Sequence, residues 1–406
     1  MKKFSIIIFI FITIYAIKAQ NRLPNVSRIY NPTQAKLHPI YKIYNLNDSI
    51  SRIYFRLNLN EISFNSKIAK IRIKYILFAS LKKFKIIDSS SKIFILKKLT
   101  NRTSLISFWQ INTKAKKGIL AIILYDLQQN VSALNFIYLD KTIINSDNFL
   151  LKNADNYKIV MRNFMINSKN GYFIETTLPY DSLFMIRYKI DSTAAAPPYS
   201  EITKKFKPII LDISKIAVKD TIYFKKPGIY LFSPDTINPH GLSVEFFRND
   251  FPYIRYPIQM IDPLIYITSS RSFLALKSAK NPKLAVDGFW IKNSGEDKFL
   301  AKELIRIFYN RVLLANFYFT SYKEGWRTDR GMIYIIFGPP SAIYKDEEKE
   351  TWSYVISSSF NQVNFEFYKK QNQFSENCYI LRRKAEYLKV WRKMLNYWNT
   401  GNIIEY

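Results

Sequence analysis

Apolar and polar residues alternate with a period of two along much of the first half of the chain. Ile53, Phe55, Leu57 and Leu59 form one such series, and further short apolar runs lie between polar turns as far as residue 145. This is the period of a β-strand with one buried face, and many short strands at regular spacing are typical of a β-sandwich. The pattern therefore predicts a β-sandwich over residues 41–150.

A second block with the same character covers residues 151–268. Its apolar runs, which include 157–165, 171–178 and 264–268, are separated by turns that contain Pro-Gly or Pro-Asp. We therefore predict a second, smaller β-sandwich in this block.

From about residue 269 the apolar period changes to that of an α-helix. Asn281 followed by Pro282 predicts one helix start, and Ser294 with Asp297 three residues later predicts the start of a longer helix that ends near residue 322. Arg311 lies on the apolar face of that helix. A buried guanidinium needs a carboxylate, so we expect it to pair with Asp329 or with Asp287, unless its side chain extends past the edge of the apolar face.

The segment after this helix predicts a turn, a strand over 332–337 and a stop at Gly338-Pro339-Pro340. Strands are predicted near 351–356, 363–367 and 377–381, and a last helix over 388–398. The predicted fold is thus multidomain and mainly β, with two N-terminal β-sandwich-like domains followed by a C-terminal α+β domain over 269–406.

The N-terminus predicts export. Two lysines precede an apolar run over residues 4–17, and Ala19 offers a small residue before a cut, which is the pattern of a cleavable signal peptide over 1–19. The apolar run is shorter than the roughly 20 residues of a membrane helix, although an uncleaved anchor is the alternative. Residues 20–40 read as an irregular leader, and no later transmembrane segment is expected. We expect the protein in the periplasm or at the periphery of the outer membrane.

Charge points to an anionic partner. The formal net charge of the whole chain is +30, and removing the signal with its three lysines leaves +27. The lysines are spread along the chain and no nucleic-acid motif is present, so an anionic envelope polymer or an envelope protein is the expected partner rather than a specific nucleic acid. One cysteine, Cys378, and two distant histidines, His38 and His240, do not make a conventional zinc site, so no metal or cofactor is predicted.

The string Gly325-Trp326-Arg327-Thr328-Asp329 gives the C-terminal region its most specific signature. With Leu284–Trp290, Arg311-Val312, the Gly338-Pro339-Pro340 stop, Glu350-Thr351-Trp352 and the closing Trp391 and Trp398, it resembles the GWxTD-domain family, exported Bacteroidetes proteins of mostly unknown function. Gly288 departs from this resemblance, because a larger residue is expected before Phe289-Trp290. The residues expected to build a structural motif are Gly325, Trp326, Thr328, Asp329, Arg330, Gly331, Gly338, Pro339, Pro340, Trp352, Arg311 and Trp290.

Two functions follow from these observations as hypotheses. The first is an exported, non-catalytic binding or scaffold protein of the cell envelope, in which the GWxTD string is a structural turn. The alternative is an envelope glycan or peptide hydrolase in which Asp329, Asp287 and Glu350 supply a pair of carboxylates. Nucleic-acid binding has only the net charge in its favour.

Overall fold

The structure is a computed structural model that describes residues 23–98, 102–201, 206–355 and 362–403. The predicted signal peptide over 1–19 lies outside the described residues. The chain forms two compact units, the first made of residues 1–143 and 340–364 and the second of 144–339 and 365–406. The first of these divisions lies close to the boundary predicted at 150, whereas the boundary predicted at 268 falls inside the second unit.

The first unit contains the larger of the two predicted sandwiches. Its strands are β1 (Ile40–Asn45), β2 (Ile50–Asn58), β3 (Ile68–Ser80), β4 (Lys85–Lys97), β5 (Ser104–Asn112), β6 (Lys117–Asp126) and β7 (Val131–Asp140). They form a three-stranded sheet in the order β1-β2-β5 and a four-stranded sheet in the order β4-β3-β6-β7, with antiparallel neighbours. Both sheets contribute to one core, which includes Ile53 and Phe55 of β2 and Ile71 and Ile73 of β3. The alternation predicted from the sequence is therefore the division between core and outer face.

The second unit begins with a smaller β-layer. Its strands are β8 (Phe149–Asn153), β9 (Tyr172–Thr176), β10 (Ser182–Tyr188), β11 (Ile210–Ala217), β12 (Gly228–Ser233) and β13 (Leu242–Phe246). A β8-β9 pair and a sheet in the order β11-β10-β12-β13 share one core, to which Leu151, Ile174 and Phe232 belong. The fold is mainly β, as the sequence predicts.

Three strands predicted in this block, over 157–165, 220–224 and 264–268, are absent from the described residues, and 220–224 makes a single bridge, between Ile222 and Tyr172. The run 157–165 makes a single bridge, between Ile159 and Lys152. Its side chains are exposed or only half-buried, so the run does not bury an apolar face as a core strand would. The run 264–268 overlaps a short 3-10 helix, Asp262–Tyr266. Pro263 at its start favours a helical turn, and Leu264 and Tyr266 are buried residues of that turn rather than of a strand.

Residues 340–364 return the chain to the first unit. Strands β14 (Ala342–Lys345) and β15 (Lys349–Tyr354) pair there as an antiparallel hairpin. Strands β16 (Val363–Lys369) and β17 (Tyr379–Leu381) form another antiparallel pair, with Phe367 opposite Leu381.

Five of the six α-helices in the described residues follow the change of period at about 269, and the first precedes it. The six are α1 (Pro257–Ile261), α2 (Ser270–Lys277), α3 (Pro282–Asn293), α4 (Lys298–Phe319), α5 (Asp329–Phe337) and α6 (Tyr387–Asn399). Asn281 caps α3 as predicted. The predicted cap of α4 was wrong: Asp297 caps it, and the Ser294 hydroxyl instead donates to Ile291 O at the end of α3. The N-cap of α4 therefore lies three residues later than predicted, because Ser294 ends α3 and Asp297 begins α4.

Residues 332–337 are helical, and the predicted strand was wrong. All six side chains from Met332 to Phe337 are buried, so this helix is covered on every side and its sequence is a continuous apolar run. A short apolar run of that kind cannot be assigned to strand or helix by its period. The C-terminal region is therefore mixed α+β, with two helices, α2 and α5, that the sequence did not predict. No helix within the described residues has both the length and the apolar character needed to cross a membrane.

Candidate functional site

Residues 325–331, here called the corner, join a short 3-10 helix, Gly325–Arg327, to the start of α5. Thr328 is the N-cap of α5: its Oγ1 accepts from Gly331 N at 3.0 Å and donates to Gly325 O at 2.7 Å. Its side chain thus satisfies one backbone donor and one backbone acceptor of the turn, which is the usual work of a capping threonine.

The two corner glycines are needed for close backbone approach. A Cβ on Gly325 would lie 2.0 Å from Ala315 O of α4, and a Cβ on Gly331 would lie 2.0 Å from Gly325 O. Neither glycine has a positive φ, so close packing rather than a left-handed backbone is the reason for them. Backbone packs directly on backbone here, and any side chain would push α4, the 3-10 turn and α5 apart.

Trp326 anchors the corner in the protein interior, with 4% of its surface exposed. Its backbone N–H donates to Asn316 Oδ1 at 3.1 Å, and its indole Nε1 donates to Glu324 Oε2 at 3.0 Å. The guanidinium of Arg327 lies over the ring, 4.1 Å from its centroid, and the Tyr266 hydroxyl donates to the Trp326 carbonyl at 3.0 Å. Ring, indole N–H and backbone are all engaged internally.

Asp329 is buried and paired, but its partner is Arg383. Oδ1 lies 2.6 Å from Arg383 Nη2, Oδ2 lies 3.2 Å from Arg383 Nη1, and Oδ2 also accepts from Leu381 N at 2.8 Å. This two-point geometry is the strong form of an Arg–carboxylate pair. Neither predicted pairing of Arg311 is therefore formed: Asp329 is held by Arg383, and Asp287 pairs with Lys283 at 2.6 Å.

Arg311 instead stabilises the end of α5. Its Nη1 donates to Ile335 O at 3.1 Å, and its guanidinium lies 5.3 Å from the Trp398 ring centroid. Carbonyls at a helix C-terminus carry partial negative charge, so a cation there is favourable. Gly338 follows with φ +81°, and a Cβ at that position would lie 2.9 Å from Arg311 Nη2. The buried arginine and the glycine after α5 therefore fit as one unit.

One known family matches the region that contains this corner. The model described as the GWxTD domain matches residues 228–400. This part of the chain is a GWxTD domain. The match begins 41 residues before the boundary predicted at 269, and so takes in β12 and β13 as well as the helices.

No curated protein matches the chain. Solved structures that are similar include the crystal structure of red sea bream transglutaminase, at 8% identity and a TM-score of 0.19, over 53% of this chain and 32% of that one. The chain thus spans about a third of the length of that transglutaminase, and the likeness is too weak to support an argument.

The remaining predicted motif residues of the GWxTD domain are also internal. Arg330 is 1% exposed, donates to Asn377 O at 2.8 Å and lies over Tyr379 at 4.1 Å from the ring centroid. Trp290 packs on Phe308 with ring centroids 5.3 Å apart. The Gly338-Pro339-Pro340 stop follows α5 directly. These residues lie where α3, α4 and α5 pack in the interior.

Glu350, the third candidate acid, has a closed environment in the first unit. It is fully buried, accepts from Lys345 Nζ at 2.9 Å and from the Tyr30 hydroxyl at 3.2 Å, and Trp352 Nε1 donates to it at 3.1 Å. Burial opposes protonation of Lys345, but the Glu350 carboxylate outweighs it and raises the lysine pKa above its ordinary value. Each oxygen of Glu350 has a partner, so the group is used as an internal counter-ion.

None of the three candidate carboxylates offers a free general acid or base. Asp329 and Glu350 are buried in ion pairs, and Asp287 is a partly exposed i,i+4 partner on α3. Across the described ranges, no group of three or more His, Cys, Asp or Glu side chains could hold a metal ion.

Two features of the site escaped the sequence analysis. Glu324 is 9% exposed and accepts from Trp326, Arg327 and Arg248, so it organises the charges beside the corner. Arg383 neutralises Asp329 from 54 residues away. The pairs Arg383–Asp329 and Arg248–Glu324 have no local signal, because pairings over 54 and 76 residues depend on the fold.

Apart from the corner, strand β3 in the first unit carries a row of three basic side chains, here called the cationic row. Lys70, Arg72 and Lys74 alternate with the buried Ala69, Ile71 and Ile73 and so lie on the outer face of the β4-β3-β6-β7 sheet. The period-two pattern that predicted this strand also contained the row, which could have been found from the sequence.

Proposed function

We propose that this protein is an exported, non-catalytic binding or scaffold component of the cell envelope, which holds an anionic envelope partner. The observation that carries the proposal is the state of Asp329. This acid of the GWxTD string is 9% exposed and held at two points by Arg383, so its charge is neutralised inside the fold.

The other polar groups of the corner support the same conclusion. The Thr328 hydroxyl and the Trp326 indole N–H each bond within the protein. A hydrolase acting through two carboxylates needs both acids in one cleft, on either side of the bond that breaks. Asp329, Asp287 and Glu350 each have a different cation as partner, which favours architecture over catalysis.

The proposal that the protein is exported rests on residues 1–19 of the sequence. A partner with negative charge follows from the net charge of +27 that remains when those residues and their three lysines are removed from the total of +30.

Export is tested by expressing the chain with and without residues 2–19 in a bacterium and separating the cell fractions. We expect the full chain in the envelope fraction with Gln20 as its first residue, and the shortened chain in the cytoplasm. A full chain that stays cytoplasmic with an intact N-terminus would refute export.

Catalysis is tested on isolated cell-wall glycan and on unfolded protein substrate, with wild type, Glu350→Gln and Asp329→Asn. We expect no release of soluble fragments above background from any of the three. Release by the wild type that is lost in either variant, at unchanged melting temperature, would establish the hydrolase instead.

A further inference from the structure

The outer face of the β4-β3-β6-β7 sheet in the first unit concentrates unpaired positive charge. Residues two apart on a strand lie about 6.7 Å from each other, so Lys70, Arg72 and Lys74 form a row about 13 Å long. Strand β4 adds Lys97 to this face, opposite the exposed Ile68, whereas Lys92 and the acid Asp88 lie opposite the core-facing Ile73 and Leu77. That acid accepts from the Tyr75 hydroxyl at 2.7 Å.

The row has no ion-pair partner among the described residues, in contrast to partly buried arginines elsewhere. Arg187, Arg327 and Arg383 each reach a carboxylate within 3.0 Å, whereas none of the described acids lies within ion-pair distance of the three cations on β3. Partial burial and the neighbouring Arg72 lower the pKa of Lys74 from its ordinary value. Keeping these like charges together therefore costs stability, which a binding role would explain.

Exposed apolar side chains border the row on the same face. Ile93 of the edge strand β4 pairs with Arg72 and is 51% exposed, and Ile95 pairs with Lys70 and is 65% exposed. On the other side of Arg72 the register places Tyr125 of β6. The rank Ile93–Arg72–Tyr125 thus combines an apolar side chain, a cation and an amphipathic ring across three strands.

We propose that this sheet face docks on the surface of a membrane that contains anionic phospholipids. The cations meet the headgroup phosphates, Ile93 and Ile95 enter the apolar boundary beneath them, and Tyr125 lies at the level of the headgroups, where such rings are enriched. A wholly hydrophilic anionic polymer would match the cations but would leave both isoleucines in water. The exposed apolar border therefore favours an amphiphilic partner. This inference rests on the proposed function, because it specifies the anionic envelope partner proposed there as a phospholipid surface.

The test is sedimentation of the mature protein, residues 20–406, with vesicles of phosphatidylcholine containing 0 or about 30% phosphatidylglycerol. The variant Lys70→Gln/Arg72→Gln/Lys74→Gln removes the row. Each basic residue near an anionic surface adds to the free energy of binding. Removing three of them is therefore expected to weaken partitioning into the vesicles about a hundredfold. Ile93→Ser/Ile95→Ser keeps every charge and is expected to weaken it at least tenfold.

The matched control is Lys225→Gln/Lys226→Gln/Lys280→Gln, which removes three exposed lysines of the second unit that have no described ion pair. It makes the same change in net charge and is expected to bind the vesicles within about twofold of wild type. Circular dichroism and melting temperature of each variant report whether it has folded.

Three outcomes would overturn the proposal. Equal loss in the control variant would mean that net charge alone drives binding. Unchanged binding of the isoleucine variant, together with equal retention of wild type on a soluble anionic polymer such as polyglutamate, would assign the face to a polymer. Absence of wild-type binding to the anionic vesicles would remove the docking surface, and the fractionation experiment above would still decide whether the protein is exported.

Discussion

Replacing Asp329 by Asn tests whether the corner is architecture. The substitution removes the charge that neutralises Arg383, whose side chain is only 10% exposed, and leaves a guanidinium with little access to water. Breaking a buried ion pair on one side typically costs 3–5 kcal/mol. The Asn side chain keeps an oxygen that can accept from Leu381 N, so we expect the lower end, about 3 kcal/mol. For a unit of this size that corresponds to a fall in melting temperature of about 6–12 °C.

The measurement is urea unfolding followed by circular dichroism, with Asp287→Asn as the matched control. Asp287 pairs with Lys283 on the surface of α3, and its loss is expected to change the free energy of unfolding by less than about 0.5 kcal/mol. The double variant Asp329→Asn/Arg383→Gln should lose less than the sum of the single variants, because the second change removes the stranded charge. A loss below about 1 kcal/mol for Asp329→Asn would refute the reasoning.

Two further predictions concern a glycine and an acid. Gly325→Ala is expected to destabilise by at least about 3 kcal/mol, because its Cβ would meet backbone at 2.0 Å, whereas Gly288→Ala, with nothing within 4 Å, should stabilise α3 by about 0.5–1 kcal/mol in thermal melts. Burial opposes ionisation of Asp191, but Lys323 and Thr193 outweigh it and hold its pKa below the ordinary value. That contribution is complete above the unfolded-state pKa of about 4 and is lost as the pH falls through the folded-state pKa, so the difference in urea unfolding between Asp191→Asn and wild type should be full at pH 6 and shrink as the pH is lowered below 4. A difference that persists at low pH would contradict this.

Much of the β architecture could be predicted because one face of each strand is buried. In β3, Ala69, Ile71 and Ile73 point to the core and the residues between them do not, so the period survives in the sequence. The same reasoning failed where both faces are covered. Met332–Phe337 is buried all round, and nothing in its pattern separates a buried helix from a buried strand.

The roles of the motif residues could be predicted more closely than their partners. The position of Arg311 on an apolar helix face predicted a carboxylate partner, and that prediction was wrong. Arg311 meets the carbonyls that end α5, and Asp329 meets Arg383. The sequence offered Asp329 or Asp287 as the partner of Arg311, but position along the chain says little about which buried charges meet.

The corner and the cationic row differ in what they do to stability, and this separates architecture from binding. At the corner the polar groups of Thr328, Asp329 and Trp326 are satisfied within the protein. Removing any of them is therefore expected to lower the free energy of unfolding. On β3 the reverse holds: the lowered pKa of Lys74 means that its charged form is disfavoured in the folded state. Removing the row should therefore leave the free energy of unfolding unchanged or raise it, most clearly at low salt, where like charges repel furthest. Urea unfolding of Lys70→Gln/Arg72→Gln/Lys74→Gln at 20 mM and 500 mM salt measures this, and a destabilised variant would mean that the row supports the sheet rather than a partner.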